Sequence, residues 1–271
     1  MNIVCCAFVL FSMENSESQI FPDKVDAFES LIAAEMAFAQ MARERGIKPA
    51  FLAALGEDSV LFRPHAVDGK TWFQEQPDTK AGLIWRPAFA DVSRAGDLGY
   101  TTGPWDFRPD GVDAEPIAFG SFVSIWRRVP GGPWKLIFDA GTSHPEGAYD
   151  DAPPIRGTIE HLERLPQDRV RKMNAIEKAY IDCLGRRGGN PRAFLSEGVR
   201  IYRDQTHPFG KKTFVRKLSE KPSMPRTWST LDIFLAGSGD LACVYGAYRL
   251  PENKKTGPDG YYLHIWRLEQ D

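Results

Sequence analysis

One pattern occurs twice in this chain of 271 residues. Ala95-Gly96-Asp97-Leu98-Gly99-Tyr100, followed by Gly103, returns as Ser238-Gly239-Asp240-Leu241-Ala242-Cys243, followed by Gly246, with an offset of 143 residues at both glycines. The features around this anchor recur in the same order. Glu35 and Phe38 match Glu177 and Tyr180, Ala50-Phe51-Leu52 matches Ala193-Phe194-Leu195, and Leu61-Phe62-Arg63 matches Ile201-Tyr202-Arg203. Gly69-Lys70 matches Gly210-Lys211, and Ile125-Trp126-Arg127 matches Ile265-Trp266-Arg267. Solenoid repeats have periods of only about 20–50 residues, so a repeat this long means two copies of a whole domain.

The length suits that reading, since half the chain is enough for a separate core. The expected division is an N-terminal segment over 1–24, a first domain over 25–144, a linker over 145–167 and a second domain over 168–271. Lys and Arg total 34 against 36 Asp and Glu, a formal net charge of −2. Such a balance gives no electrostatic reason to expect nucleic acid as a partner. The apolar run Ile3 to Phe11 is too short to span a bilayer as a helix. It has the length of a signal-peptide core, but no Lys or Arg precedes it and no small-x-small cleavage site follows. Cytoplasmic and exported locations both stay open. The four cysteines lack metal-ligand spacing, and the sequence does not decide whether Cys183 and Cys243 are bridged.

Helical spacing of Phe28, Leu31, Ile32, Met36, Phe38 and Ala39 predicts a first helix from Val25 to about Glu44. A second begins near Pro49, and a third covers Thr71 to Glu75. Strands are then expected at Val60–Phe62, Ile84–Ser93, Leu98–Phe107, Phe119–Val129 and Trp134–Ala140, with a tight turn at Ala95-Gly96-Asp97. The second copy repeats the order: helices at Met173–Leu184 and Pro191–Ser196, then strands at Val199–Arg203, Leu231–Ala236, Asp240–Leu250 and Tyr261–Leu268. No stretch corresponds to Trp134–Ala140, so this copy is expected to lack its last strand. Helices first and antiparallel strands after is α+β segregation, unlike the alternation of a nucleotide-binding fold.

The Glu-x-x-Phe helix, the Gly-Asp-Leu-Gly-Tyr-Thr-Thr-Gly hairpin, and Ser124-Ile125-Trp126-Arg127-Arg128 leading to Trp134-Lys135-Leu136 together resemble the nuclear-transport-factor-2-like superfamily, and within it the SnoaL-like group. The resemblance implies two tandem cone-shaped α+β domains, each a strongly bent antiparallel sheet wrapped around N-terminal helices with an apolar pocket at its open end. It also implies that two copies could pair through the outer sheet faces, as a pseudo-dimer within the chain or in a homodimer. Relatives of this fold include ketosteroid isomerase, scytalone dehydratase, limonene epoxide hydrolase and polyketide cyclases, and others only bind partners. The fold does not choose among these activities.

Isomerases and cyclases of this kind need a carboxylate or histidine base in an apolar pocket and a donor for an enolate oxygen. Asp139 is the first candidate, at the end of the apolar run Leu136-Ile137-Phe138; a structural bond to backbone or to an arginine is its alternative. His65 is the second, at the end of the first strand near the expected pocket mouth, with a surface loop as its alternative. Arg63 and Arg127 could hold an anionic ligand, or could form ion pairs with Glu35, as Arg203 and Arg267 could with Glu177. Phe62, Trp85, Tyr100, Trp105, Phe122 and Trp126 are candidate walls for a planar ligand, and equally candidate core. Asp97 and Asp240 sit in turns and are read as turn chemistry. No Gly-rich phosphate loop, His-Glu-x-x-His, Cys-x-x-Cys or Gly-x-Ser-x-Gly occurs, so no cofactor and no metal is expected.

The reading favoured by these residues is a protein that binds an apolar or aromatic small molecule in the first domain. A cofactor-free lyase or isomerase, and a non-catalytic scaffold for other proteins, are the alternatives.

Overall fold

A computed structural model describes residues 2–4, 24–129, 131–147, 152–157, 168–186, 188–220, 225–252 and 256–269. They fall into two compact units, one built on 24–157 with Asp204–His207, the other on the rest of 168–269 with residues 2–4. Each has its own hydrophobic core. The chain is α+β in both.

The first strand, β1 (Asn2–Val4), belongs to the second unit. Most of the signal-like run Ile3–Phe11 lies outside the described residues, as does most of the expected linker. Among the described residues no helix is long and apolar enough to cross a membrane.

The first domain opens with α1 (Lys24–Arg45) and α2 (Ile47–Ala54). The chain then runs through β2 (Leu55–Phe62), β3 (Ala66–Asp68) and α3 (Gly69–Glu75). Asp68 caps α3, its carboxylate accepting from the Thr71 amide at 2.7 Å. Such a cap satisfies one of the amides that a helix start leaves without an internal partner.

Next come β4 (Gly82–Trp85), β5 (Phe89–Val92), β6 (Leu98–Arg108), β7 (Ala118–Arg127), β8 (Lys135–His144) and the short β9 (Ile155–Arg156). The sheet order is β3-β2-β8-β7-β6-β5-β9, with β4 also on β6. The single strand expected over Ile84–Ser93 is thus two, broken at Arg86-Pro87-Ala88. Proline has no amide to donate, and the backbone of Arg86 presses on Gly103 so closely that a Cβ there would lie 1.9 Å from its carbonyl oxygen. Both pieces still pair with β6.

The turn between β5 and β6 is one residue longer than Ala95-Gly96-Asp97. Ser93 and Leu98 close it by the Ser93 amide at 2.8 Å, and Gly96 adopts φ 66°, a left-handed conformation natural to glycine. Asp97 accepts from the Ser93 hydroxyl at 2.7 Å, so its role is to hold the turn.

The concave face of the sheet packs on α1 and α2 through Leu31, Phe38, Phe51, Trp126 and Leu136. Trp105 lies across this face, over Gly120 on β7 and Gly141 on β8. A Cβ at Gly120 would stand 2.3 Å from the indole, so glycine there is what lets the ring lie flat.

The second domain repeats this plan with α4 (Arg169–Gly185), a 3₁₀ turn at Pro191–Phe194, β10 (Ile201–Arg203), β11 (Thr206–Phe209) and α5 (Lys211–Glu220). Helix α5 corresponds to α3 and was not anticipated, although Phe214 and Leu218 stand one turn apart in it and both pack on the second core. Its sheet is β12 (Thr227–Leu235), β13 (Leu241–Arg249) and β14 (Gly260–Arg267) in that order. Among the described residues no strand follows β14. Strand β1 pairs antiparallel with β10, Ile3 opposite Tyr202. Cys183 and Cys243 are free thiols.

Candidate functional site

The concave face of the first domain encloses a cavity of about 390 Å³. Helices supply Phe38 and Phe51 to its wall, and the sheet supplies Trp85, Trp105, Phe107 and Phe122. The period of two along a strand sends Phe122 and Ser124 to the same face, and the β7–β8 register sets Ser124 opposite Asp139. Asp139 therefore faces inward, which settles the side of the sheet that the sequence left open.

The polar side chains at the wall gather in one place. Arg63 Nη2 donates to Asp139 Oδ1 at 2.9 Å, and the Ser124 hydroxyl donates to Asp139 Oδ2 at 3.2 Å. The pair is mostly shielded from water, with side-chain exposures of 27% for Arg63 and 10% for Asp139. Arg63 Nη1 donates to the Phe62 carbonyl at 2.9 Å, and the guanidinium lies 5.8 Å from the Trp72 ring centre and 6.0 Å from that of Phe51. These contacts fix the guanidinium in place.

Behind the wall sits a second carboxyl. Glu35, on α1, is fully buried. Its Oε1 accepts from Trp85 Nε1 at 2.7 Å; its Oε2 accepts from Thr101 Oγ1 at 2.5 Å and Trp126 Nε1 at 2.9 Å. Burial pushes its pKa up to about 7, three hydrogen bonds hold it down, and the charge of Asp139 adds to the upward push. Glu35 thus titrates near neutrality, one indole away from the cavity.

Of the residues expected at the site, Asp139, Arg63, Trp85, Trp105 and Phe122 line the cavity. The others do not. His65 is exposed on the loop after β2, away from the cavity wall, because Pro64 and the turn into β3 carry it outward. Phe62 points to the opposite face of the sheet and packs edge-on against Phe138 at 4.8 Å. Tyr100 packs against Phe89, and Trp126 is buried beneath the wall as a donor to Glu35. Arg127 is exposed at the end of β7, one strand position past the buried Trp126.

The expected ion pairs also differ. Glu35 is matched by indole and hydroxyl donors, while Arg63 takes Asp139 as its partner. Arg267 pairs with Asp240 at 3.3 Å, and Glu177 takes His264.

Glu35 as a titrating group, and Ser124, Phe38 and Phe51 as wall, were not read from the sequence. One signal was available. Glu35, Trp85 and Trp126 all recur, as Glu177, Trp228 and Trp266. An acid and two indoles repeated together, with the acid on an apolar helix face, mark a buried carboxyl with its donors.

The second domain shows what substitution does to this arrangement. Glu177 accepts from Trp266 Nε1 at 2.8 Å, like Glu35 from Trp126, but it also takes His264 Nδ1 at 2.9 Å and the Tyr262 hydroxyl as partners. His264 stands where the first domain has Ser124, Tyr262 where it has Phe122, and Val244 where it has Thr101. The imidazole sits 4.4 Å from the Tyr262 ring and 4.9 Å from Tyr180, with Trp228 5.1 Å from Tyr262. Rings here pack on one another around Glu177.

No protein-family model matches the chain, and no curated protein does. Solved structures similar to it include a ketosteroid isomerase-like protein from Erwinia carotovora atroseptica, at 16% identity and TM-score 0.35, covering 45% of this chain and 98% of that one. A nuclear transport factor 2-like superfamily protein from Salmonella enterica serovar Typhimurium matches at 11% identity and TM-score 0.36, over 48% of this chain and 99% of that one. An NTF2-like protein from Cytophaga hutchinsonii matches at 12% identity and TM-score 0.32, over 42% and 97%. Each of these structures spans less than half of this chain and nearly all of its own.

Proposed function

We propose that the first domain is a receptor for a small, largely apolar molecule that carries an aromatic ring. The supporting observation is the cavity of about 390 Å³, walled by six aromatic rings and a single polar cluster. Natural small-molecule sites have this character: concave, mostly apolar, with a few convergent polar groups that orient the ligand. Offset or edge-on contact with the wall rings adds to the gain from removing the ligand's apolar surface from water.

Titration of the full chain with the uncharged dye N-phenyl-1-naphthylamine tests this reading. One saturable site is expected, lost when Ala118→Phe fills the cavity. An absence of saturable binding, or binding indifferent to Ala118→Phe, removes the reading.

A second reading is favoured by the inward orientation of Asp139. A carboxylate at the polar end of an apolar cavity can take a proton from a carbon next to a carbonyl, while the Arg63 N–H groups donate to the oxygen on which charge develops. Return of the proton to a different atom makes an isomer; loss of a leaving group makes a lyase. Wild-type protein is then expected to accelerate deuterium exchange into an enolisable aryl ketone such as 2-tetralone, and Asp139→Asn to reduce that rate by about 100-fold or more. An unchanged rate in the variant removes Asp139 from the reaction.

A further inference from the structure

The polar end of the cavity looks at first like an anion site, because it holds an arginine. Its charge is already matched. One guanidinium nitrogen, Nη2, meets Asp139 at 2.9 Å, and a second, Nη1, meets the Phe62 carbonyl. The second oxygen of Asp139 is occupied as well, by the Ser124 hydroxyl. A ligand carboxylate placed here would gain contact with Arg63 but would sit beside the Asp139 charge, in surroundings dry enough for that repulsion to count. Glu35, behind the wall, lies near enough to Asp139 for the two carboxyls to repel each other, which adds to the penalty on a further carboxylate whenever Glu35 is ionised.

An uncharged polar group meets no such penalty. A hydroxyl can donate to a free lone pair of Asp139 and accept from Ser124 or Arg63; a carbonyl or amide can accept from Arg63. We propose that the cavity selects uncharged aromatic ligands bearing a hydroxyl, carbonyl or amide group and rejects the corresponding carboxylates, with the Arg63–Asp139 pair as the determinant of that choice. This inference rests on the reading of the cavity as a ligand site.

The test compares 2-naphthol, 2-naphthamide and 2-naphthoate, three probes that share one ring system and differ in the group at one position. Calorimetric titration of the full chain at neutral pH reads the affinities. The two uncharged probes are expected to bind at least about tenfold more tightly than 2-naphthoate. Asp139→Asn leaves the Arg63 charge unmatched, and in that variant 2-naphthoate is expected to bind as tightly as the amide or more so. An unchanged circular dichroism spectrum and cooperative thermal transition show that the variant is folded, and the wild-type comparison decides the matter by itself if it is not.

Equal or tighter binding of 2-naphthoate to the wild type overturns the inference and leaves the cavity a ligand site. Selectivity that persists unchanged in folded Asp139→Asn overturns the role of the pair. Failure of all three probes to bind overturns the ligand-site reading and this inference with it.

Discussion

Trp85 joins the cavity to the buried acid behind it: its side chain forms part of the cavity wall, and its Nε1 donates to Glu35 Oε1 at 2.7 Å. The proton on Glu35 is therefore coupled to the packing of a wall residue. The consequence for stability has a definite sign. Glu35 has an ordinary pKa of 4.5 when unfolded and about 7 when folded, so the folded state holds its proton over a range where the unfolded state has lost it. The first domain should lose stability as pH rises from about 4.5 to 7, by on the order of 3 kcal/mol, and level off above that. Urea unfolding of wild type and Glu35→Gln across this range checks it. The variant should be the less stable at low pH, because an amide cannot accept from all three donors, and the difference should shrink as pH approaches 7.

Arg63 and Asp139 are held by each other across 76 residues of sequence. Arg63→Met should destabilise the first domain by about 1–3 kcal/mol, since it leaves a mostly buried carboxylate without its cation. Arg63→Met/Asp139→Leu should recover much of that loss, because both charges are gone. Equal loss in the single and double variants, read by denaturant midpoints, would place the effect in packing.

Gly120 lets Trp105 lie flat on the sheet. Gly120→Ala should push the indole from the wall, since its Cβ would stand 2.3 Å from the ring and 2.0 Å from the Thr142 carbonyl. A loss of about 1–3 kcal/mol is expected, together with weaker dye binding. Thermal denaturation and the dye titration read the two effects separately.

Ser124 and His264 occupy matching positions and can be exchanged. Ser124→His should fill the polar end of the first cavity and lower dye affinity by at least about tenfold, equivalent to about 1.4 kcal/mol. His264→Ser should leave a void among Tyr180, Trp228 and Tyr262 and remove a donor from Glu177, for a loss of about 2–4 kcal/mol. The asymmetry of the two outcomes is the check: one substitution affects binding, the other stability.

Much of this architecture was legible because the chain states it twice. The offsets between the Gly-Asp-Leu anchors locate both hairpins, and alternation along β6, β7 and β8 marks long antiparallel strands. The break at Pro87 was missed because Ile84–Ser93 is apolar enough to read as one run. Helix α5 was missed although Phe214 and Leu218 stand one turn apart in it, a signal the sequence carried.

At the site, Asp139 and the tryptophans stood out by residue type. Which face each occupied depended on the β7–β8 register, a long-range property that no local pattern encodes. Trp126 and Trp85 look alike in sequence, yet one is a wall and the other lies beneath it. Phe38 and Phe51 were indistinguishable from core because a cavity wall and a core are built from the same residues.

The two domains place similar backbones around different contents. In the second, His264, Tyr262, Tyr180 and Trp228 pack ring against ring; in the first, Ser124 and Asp139 line open space. The space in the first domain is bounded partly by Asp139, Ala140 and Gly141 of β8, and among the described residues no strand follows β14 to take that place in the second. Unfilled volume weakens a folded protein by tens of calories per cubic ångström. The first domain holds open an unfilled interior, so its stability should respond to an occupant.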